Sequence, residues 1–146
     1  MRTGSIIVGV GVFLAMTVGG YQSLQGLKRQ ARALEDGIAA YEKGDYKTSV
    51  TLLTPFAEKG HKGAQRTLGL TYAYGDDATR DRGRAHELLR ASLGAKAVET
   101  YFAIAESFES GGDDITEDVE EALAWYRIAA DEGSPEAQAR LRQAND

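Results

Sequence analysis

Cysteine is absent from this chain of 146 residues, and proline and histidine each occur only twice. Without cysteine there can be no disulfide, no thiol nucleophile and no thiolate ligand for a metal, although the redox compartment is left open. His61 and His86 lie far apart in the sequence, and neither has a second histidine at the spacing of a metal site. We expect structural or surface roles for both, and we expect no catalytic residue, no metal and no cofactor.

Negative charge is missing from the first part of the chain. Residues 1–34 contain four of the 17 Lys and Arg residues and none of the 22 Asp and Glu residues. The remainder is therefore strongly acidic. Such a body is a poor match for nucleic acid, because neutralising phosphates requires clustered lysine and arginine. We expect no nucleic-acid partner.

The N-terminal segment has no charged residue between Arg2 and Lys28, and its most apolar part runs from about Ile6 to Val18. A helix over residues 5–24 would be about 30 Å long, which is enough to cross the core of a bilayer. We interpret residues 1–27 as a transmembrane anchor or signal segment. A buried helix of a soluble protein is the third alternative.

Basic residues come directly after the apolar segment. Residues 28–36 are interpreted as a basic juxtamembrane linker or helix extension, in which Lys28, Arg29 and Arg32 contact the membrane interface or anionic lipid headgroups. The same three residues would favour a cytoplasmic location for the rest of the chain, whereas so short an N-terminal tail is typical of an exported anchor. We expect a single-pass protein of the inner (cell) membrane with its soluble part in the periplasm.

Small residues recur every fourth position within the apolar segment, at Gly11, Ala15 and Gly19. On a helix they form one stripe that would allow another membrane helix to approach closely. Glycine is also common in membrane helices without such a role, so both interpretations remain open.

Beyond about Leu34 the chain has a helical pattern and no stretch that alternates as a strand would. The segments "AQRTLGLTYAYG" (64–75) and "TYFAIAESFESG" (100–111) place small and aromatic residues at the same spacing, 36 positions apart. Each is followed by a second helical segment that begins near an aspartate. This internal repetition predicts stacked helical hairpins.

Capping residues predict where the helices of the body begin. Asp45, Asp81 and Asp118 fit N-terminal positions, where a carboxylate accepts backbone N–H groups. Asp118 with Glu121 is typical of a capping box, and Ser134 before Pro135 predicts the start of one more helix. Asp76-Asp77 and Asp113-Asp114 are interpreted as solvated turn residues and helix caps, because their spacing lacks the alternating oxygen ligands of a calcium loop.

Small and large residues divide the packing between the two helices of a hairpin. Gly69 and Ala105 are expected where the helices touch, and Tyr72 and Phe108 are expected to fill the space beside them. Trp125 and Tyr126 are expected in the core or at a repeat junction. The fold class is therefore all-α, a short α-solenoid of about three helical hairpins in a repeat domain at 37–146, preceded by a single transmembrane helix.

The segments "AQRTLGLTYAYGDD…AHELLRASLGA" and "DVEEALAWYRIAADEGSPEAQARL" resemble the Sel-one-like repeat (SLR), a relative of the tetratricopeptide repeat. The resemblance covers residues 37–146, and its first copy is degenerate. Many members of that family join their repeats through cysteine pairs, which this chain lacks. The resemblance implies a non-catalytic scaffold or adaptor that binds protein partners, often in bacterial envelopes.

In tetratricopeptide-like stacking, the first helix of each hairpin lines a concave surface. The residues expected there from the second and third copies, and hence to bind a partner, are Arg66, Leu70, Tyr74, Phe102, Glu106 and Glu109. Glu35, Ala39 and Glu42 are expected there from the first copy. The leading hypothesis is a membrane-anchored interaction scaffold. The alternative is a small accessory subunit of a membrane protein complex, bound through its transmembrane helix.

Overall fold

A computed structural model of the chain describes residues 4–111 and 115–145, with side chains from residue 19 onward within those ranges. These residues form α-helices and no strand, which confirms the predicted all-α class for this part of the chain. The helices are α1 (Gly4–Glu42), α2 (Tyr46–Glu58), α3 (Lys62–Tyr74), α4 (Arg82–Leu93), α5 (Ala97–Ser110), α6 (Val119–Asp131) and α7 (Pro135–Gln143). A short 3-10 turn, Gly94–Lys96, joins α4 to α5.

The helices pair in the order of the sequence, as expected for stacked hairpins. The end of α1 packs on α2, α3 packs on α4, and α5 packs on α6, while α7 is a further helix that packs against α6. Contacts between α2 and α3 and between α4 and α5 join each hairpin to the next. One continuous core results, because each hairpin covers apolar surface that its neighbour alone would leave exposed.

The predicted capping residues begin four of the helices. A carboxylate oxygen of Asp45, Asp81 or Asp118 accepts the backbone N–H three residues ahead, at 3.0–3.1 Å. The Ser134 hydroxyl does the same for the N–H of Ala137, with Pro135 in the first turn of α7. Each cap satisfies a donor that has no partner within its helix.

One part of the capping prediction is wrong. The Glu121 side chain does not return to the backbone N–H of Asp118, which instead donates to the carbonyl of Phe108 at 2.8 Å. Glu121 is buried and accepts from Trp125 and from Arg82 of the preceding hairpin. The indole N–H of Trp125 is fully buried and would lack an acceptor without Glu121. The N–H of Asp118 does not need this carboxylate, because it already donates to Phe108.

Gly69 lies where α3 and α4 touch, as predicted. A Cβ atom at this position would be 2.8 Å from Leu89 Cγ and 3.3 Å from the carbonyl oxygen of Ala85. Ala105 is likewise fully buried between α5 and α6. Gly37 makes an equivalent close approach between α1 and α2, with a Cβ that would be 2.7 Å from Leu53 Cδ2. The degenerate first copy therefore keeps the same packing, although its sequence pattern does not show it.

Aromatic side chains fill the core between the second and third hairpins. Tyr101 and Trp125 stack with their ring centroids 5.9 Å apart, and both are fully buried. The Tyr101 hydroxyl donates to the carbonyl of His86 at 3.1 Å, so that burial leaves no polar atom of this tyrosine unsatisfied. Phe108 and Tyr126 complete the layer.

The N-terminal helix α1 runs without a break from Gly4 to Glu42, through the predicted linker at 28–36. Its side chains join the core only from about Leu34 onward. No helix among the described residues combines the length and the apolar character needed to cross a bilayer. The predicted anchor falls largely on residues 1–18, whose side chains are not among those described. The anchor therefore stays a prediction.

Candidate functional site

The first helices of the hairpins lie side by side on one face of the stack. We call this surface, formed by residues 35–42 of α1 together with α3, α5 and α7, the first-helix face. Tyr74 of α3 donates its hydroxyl to Ser107 of α5 at 3.3 Å, and Arg140 of α7 contacts Glu106 and Glu109 of α5. Because α1 also contacts α3, the surface is continuous across three hairpins and the last helix.

The predicted partner-binding residues of α3 lie on this face but differ in exposure. Arg66 is exposed and has no ion pair among the described residues. Leu70 is half-buried and packs against the core. Tyr74 is half-buried with its ring 5.8 Å from that of Phe108, and burial raises the pKa of its hydroxyl. Of the three, Arg66 has the most side-chain surface available to a partner.

The predicted residues of α5 are largely engaged by other parts of the chain. Glu109 accepts from the Tyr126 hydroxyl at 2.6 Å and pairs with Arg140 at 3.1 Å. Glu106 lies 3.7 Å from the same arginine. Phe102 is half-buried, with its ring centroid 5.4 Å from that of Tyr126. The two glutamates therefore hold α7 against α5. One side of the Phe102 ring is exposed to solvent.

The residues expected from the first copy lie at the other end of the face. Glu35 and Glu42 are exposed, whereas Ala39 is half-buried. Glu42 lines a groove of about 590 Å³ together with three tyrosines. We call it the tyrosine groove, and its lining is Tyr41, Glu42, Lys43, Gly44, Tyr46, Tyr74 and Ile115. Desolvation by burial raises the pKa of Tyr41 to about 12.

A second groove of about 480 Å³ lies between the beginning of α5 and the beginning of α7. We call it the α5–α7 groove, and its lining is Ala95, Val98, Glu99, Phe102, Gly133, Ser134, Pro135 and Glu136. Of these residues, only Phe102 was expected at a binding surface. The others come from the beginning of α5 and the beginning of α7, which are separated in sequence by the rest of α5 and by α6, and no spacing in the sequence shows that they meet.

The opposite side of the stack, formed by α2, α4 and α6, is joined by polar contacts between hairpins. Arg82 of α4 forms two hydrogen bonds with the Glu121 carboxylate of α6, at 3.0 and 2.6 Å. Glu121 also accepts from the indole N–H of Trp125 at 2.9 Å. This network raises the pKa of Arg82, chiefly through the hydrogen bond to Glu121. It fixes the relative position of the second and third hairpins.

Both histidines have structural contacts. His61 Nδ1 accepts the backbone N–H of Ala64 at 3.1 Å and thereby caps α3. His86 lies against the ring of Tyr101, with centroids 5.1 Å apart, and its Nε2 is 3.3 Å from a Glu132 carboxylate oxygen. Among the described residues, no group of three side chains is arranged to hold a metal ion.

The remaining sequence predictions concern turns and the small-residue stripe. Asp76 accepts the N–H of Thr79 at 2.9 Å and is a turn residue, as expected, whereas Asp113-Asp114 lies outside the described residues. Gly11 and Ala15 also lie outside the described side chains. At Gly19 a Cβ atom would meet nothing within 4 Å, so helix packing through this stripe stays a prediction.

Comparison with known protein families matches two stretches of the chain, 63–92 and 98–134, to the Sel1 repeat. The first stretch covers α3 and α4, and the second covers α5 and α6. Comparison with curated proteins and with solved structures gives no match. Sel1 repeats generally mediate interactions between proteins, and the proteins that contain them are typically non-catalytic scaffolds. The hairpins α3–α4 and α5–α6 of this chain are therefore similar to Sel1 repeats.

Proposed function

We propose that this protein is a non-catalytic scaffold that binds another protein on its first-helix face and is held at a membrane by its N-terminal segment. The observation that carries the binding function is the continuity of that face. Contacts among Tyr74, Ser107, Glu106, Glu109 and Arg140 fix α3, α5 and α7 relative to one another. A surface held in this way can bind a protein segment without first having to be ordered.

The composition of the face indicates the chemistry of the partner. Two grooves lined by aromatic and apolar side chains open on it, and carboxylates lie at both. A groove of this kind matches a segment that combines apolar side chains with basic ones. The partner proposed is therefore an extended or helical protein segment with both types of residue.

Support for the membrane attachment comes from the exposed part of α1. Tyr21, Leu24 and Leu27 are 63%, 50% and 63% exposed, in a chain with only one other large apolar side chain exposed among the described residues. Lys28 and Arg29 come directly after them and are exposed as well. Exposed apolar residues bordered by basic ones favour the interface of an anionic membrane.

The binding function is tested by changing the first-helix face in the intact chain. The double variant Arg66→Glu with Phe102→Ala reverses a charge and removes an aromatic ring on that face. We expect the amount of co-purified partner to be at least ten-fold lower than with the unchanged protein. The full-length protein is purified from its membranes in mild detergent, and the partner is measured by quantitative mass spectrometry. Arg66→Glu alone, which leaves the core untouched, should lose part of the same partner.

The matched control lies on α6, on the opposite side of the stack. Arg127→Glu with Val119→Ala also reverses a charge and shortens an apolar side chain, here at two exposed positions. We expect this control to recover its partner as the unchanged protein does. Equal recovery from the first-helix variants and the control, with thermal unfolding showing all of them folded, would remove the proposed binding face.

A second candidate function rests on the same exposed stretch of α1. If Leu24 and Leu27 pack against a membrane protein, the chain is an accessory subunit bound through α1, and the repeats are secondary. The full-length variant Leu24→Gln with Leu27→Gln separates the two functions. Loss of the partner in this variant, together with normal recovery from Arg66→Glu, would favour the accessory subunit.

A further inference from the structure

The carboxylates of the first-helix face fall into two groups. Glu106 and Glu109 share Arg140 as a basic partner within the chain, so one of their two negative charges is offset before any partner arrives. Glu99 and Glu136 are exposed and have no basic partner among the described residues. The carboxylates without a basic partner therefore lie at the beginning of α5 and of α7, and not in the middle of α5.

These two carboxylates line the same apolar groove. Val98 and Phe102 form its wall on α5, and Pro135 forms part of its wall on α7. Glu136 is held in place because the buried Ser134 hydroxyl donates to its carboxylate at 3.1 Å. No basic side chain is present among the described residues that line the groove.

We propose that the α5–α7 groove binds a lysine or arginine side chain that is flanked by apolar residues in the partner's segment. The proposal rests on the protein-binding function of the first-helix face and names the residue type recognised there. The aliphatic stem of such a side chain packs against Val98, Phe102 and Pro135, while its charged end lies between Glu99 and Glu136. A groove of about 480 Å³ has room for one such side chain and the apolar residue beside it.

The tyrosine groove differs from the α5–α7 groove in the charge of its lining. Its lining contains Lys43 next to Glu42, so the two charges offset each other. Its three tyrosines make it the more aromatic of the two grooves, but its charge does not select a basic residue. Charge complementarity therefore places the basic side chain at the α5–α7 groove.

The probe for this site is a pair of short peptides, acetyl-Leu-Lys-Leu-amide and acetyl-Leu-Glu-Leu-amide. Each is titrated into the ¹⁵N-labelled full-length protein in detergent micelles, and amide shifts are followed by NMR. We expect saturable shifts at Val98, Glu99, Phe102 and Glu136 with the lysine peptide, and at least ten-fold weaker binding of the glutamate peptide. Affinity for the lysine peptide should fall as salt is added, because both carboxylates are exposed.

Substitutions then assign the effect to the two carboxylates. Glu99→Gln and Glu136→Gln should each weaken binding of the lysine peptide about three- to ten-fold, and the double variant should abolish the difference between the two peptides. Glu120→Gln changes an exposed carboxylate in the first turn of α6 and serves as the control, with no change expected. Because glutamine has nearly the same size and shape as glutamate, we expect these substitutions to leave the fold unchanged.

Equal affinity of the two peptides, shifts confined to the tyrosine groove, or an unchanged titration of the double variant would each overturn the proposal. These outcomes are distinct from failure of the scaffold function. If the native partner is lost on Arg66→Glu with Phe102→Ala while the lysine peptide does not bind, the first-helix face is still the binding surface. Only its recognition of a basic residue is then wrong.

Discussion

At the scale of single residues, the stack depends on positions where two helices leave no room for a side chain. Gly69 and Gly37 both lie at such positions, where a Cβ would come within 3.0 Å of a buried leucine. The surrounding interior is close-packed, so an added methyl group forces a shift of core atoms and is not absorbed by empty space.

Replacing Gly69 by alanine tests this packing. Alanine favours a helix by up to about 1 kcal/mol relative to glycine, but here the clash with Leu89 and the Ala85 carbonyl should outweigh that gain. We expect a net loss of about 1–2 kcal/mol in the free energy of unfolding, measured by urea denaturation with circular dichroism. Gly26→Ala is the control, because a Cβ there meets nothing within 4 Å. Similar stability of the two variants would show that α3 and α4 are not in contact at Gly69.

The pH dependence of stability is expected to reflect the buried tyrosines. Desolvation, together with the charge of Glu132, raises the pKa of Tyr101 from its ordinary value of 10.0 to about 12. The folded state favours the neutral phenol of Tyr101 more than the unfolded state does. The stability that this neutral phenol contributes is therefore fully present below pH 10 and is lost as pH rises towards 12. Urea denaturation at pH 8 to 12 should therefore give a steeper alkaline loss for the unchanged protein than for Tyr101→Phe.

The control for this prediction is the exposed Tyr21, whose replacement by phenylalanine should leave the alkaline slope unchanged. Tyr101→Phe should also lose about 1 kcal/mol near neutral pH, because the hydrogen bond from the Tyr101 hydroxyl to the His86 carbonyl is lost. If both variants keep the slope of the unchanged protein between pH 10 and 12, Tyr101 is not the titrating group.

At the scale of helices, the sequence predicts beginnings better than partners. The caps at Asp45, Asp81 and Asp118 could be predicted because a cap depends on residues three positions apart. The role of Glu121 could not be predicted, because its partner Arg82 lies in the preceding hairpin. The sequence nearby indicates a different partner, the backbone N–H of Asp118. Local signals therefore fix where the helices begin, and contacts between repeats decide what their side chains bind.

The cap at the start of α4 gives a prediction at this scale. Asp81→Ala removes the acceptor for the N–H of Arg84 and should lower the free energy of unfolding by about 1 kcal/mol. The exposed ion pair with Arg84, at 3.4 Å, adds little to this. Asp77→Ala changes an exposed aspartate in the preceding turn and should be nearly neutral. A difference below about 0.3 kcal/mol between the two, measured by thermal denaturation, would mean that the cap contributes nothing.

At the scale of the whole molecule, the repeat pattern predicted the stack but not its binding surfaces. Spacings within 64–75 and 100–111 could be compared directly, and both segments form first helices of hairpins. The α5–α7 groove could not be found in this way, because its two sides are separated in sequence by α6. Likewise, nothing local indicates that Arg140 pairs with Glu106 and Glu109. Such features depend on how repeats stack, and they can be identified only once the stack is known.

The central claim is that a protein partner binds the first-helix face and not the opposite side of the stack. Site-specific photocrosslinking in the intact, membrane-associated chain tests it most directly, with benzoylphenylalanine placed singly at Arg66, Glu99 or Arg127. We expect positions 66 and 99 to crosslink the same protein and position 127, on α6, not to crosslink it. Crosslinking of that protein from position 127 alone would show that the partner binds the opposite side of the stack.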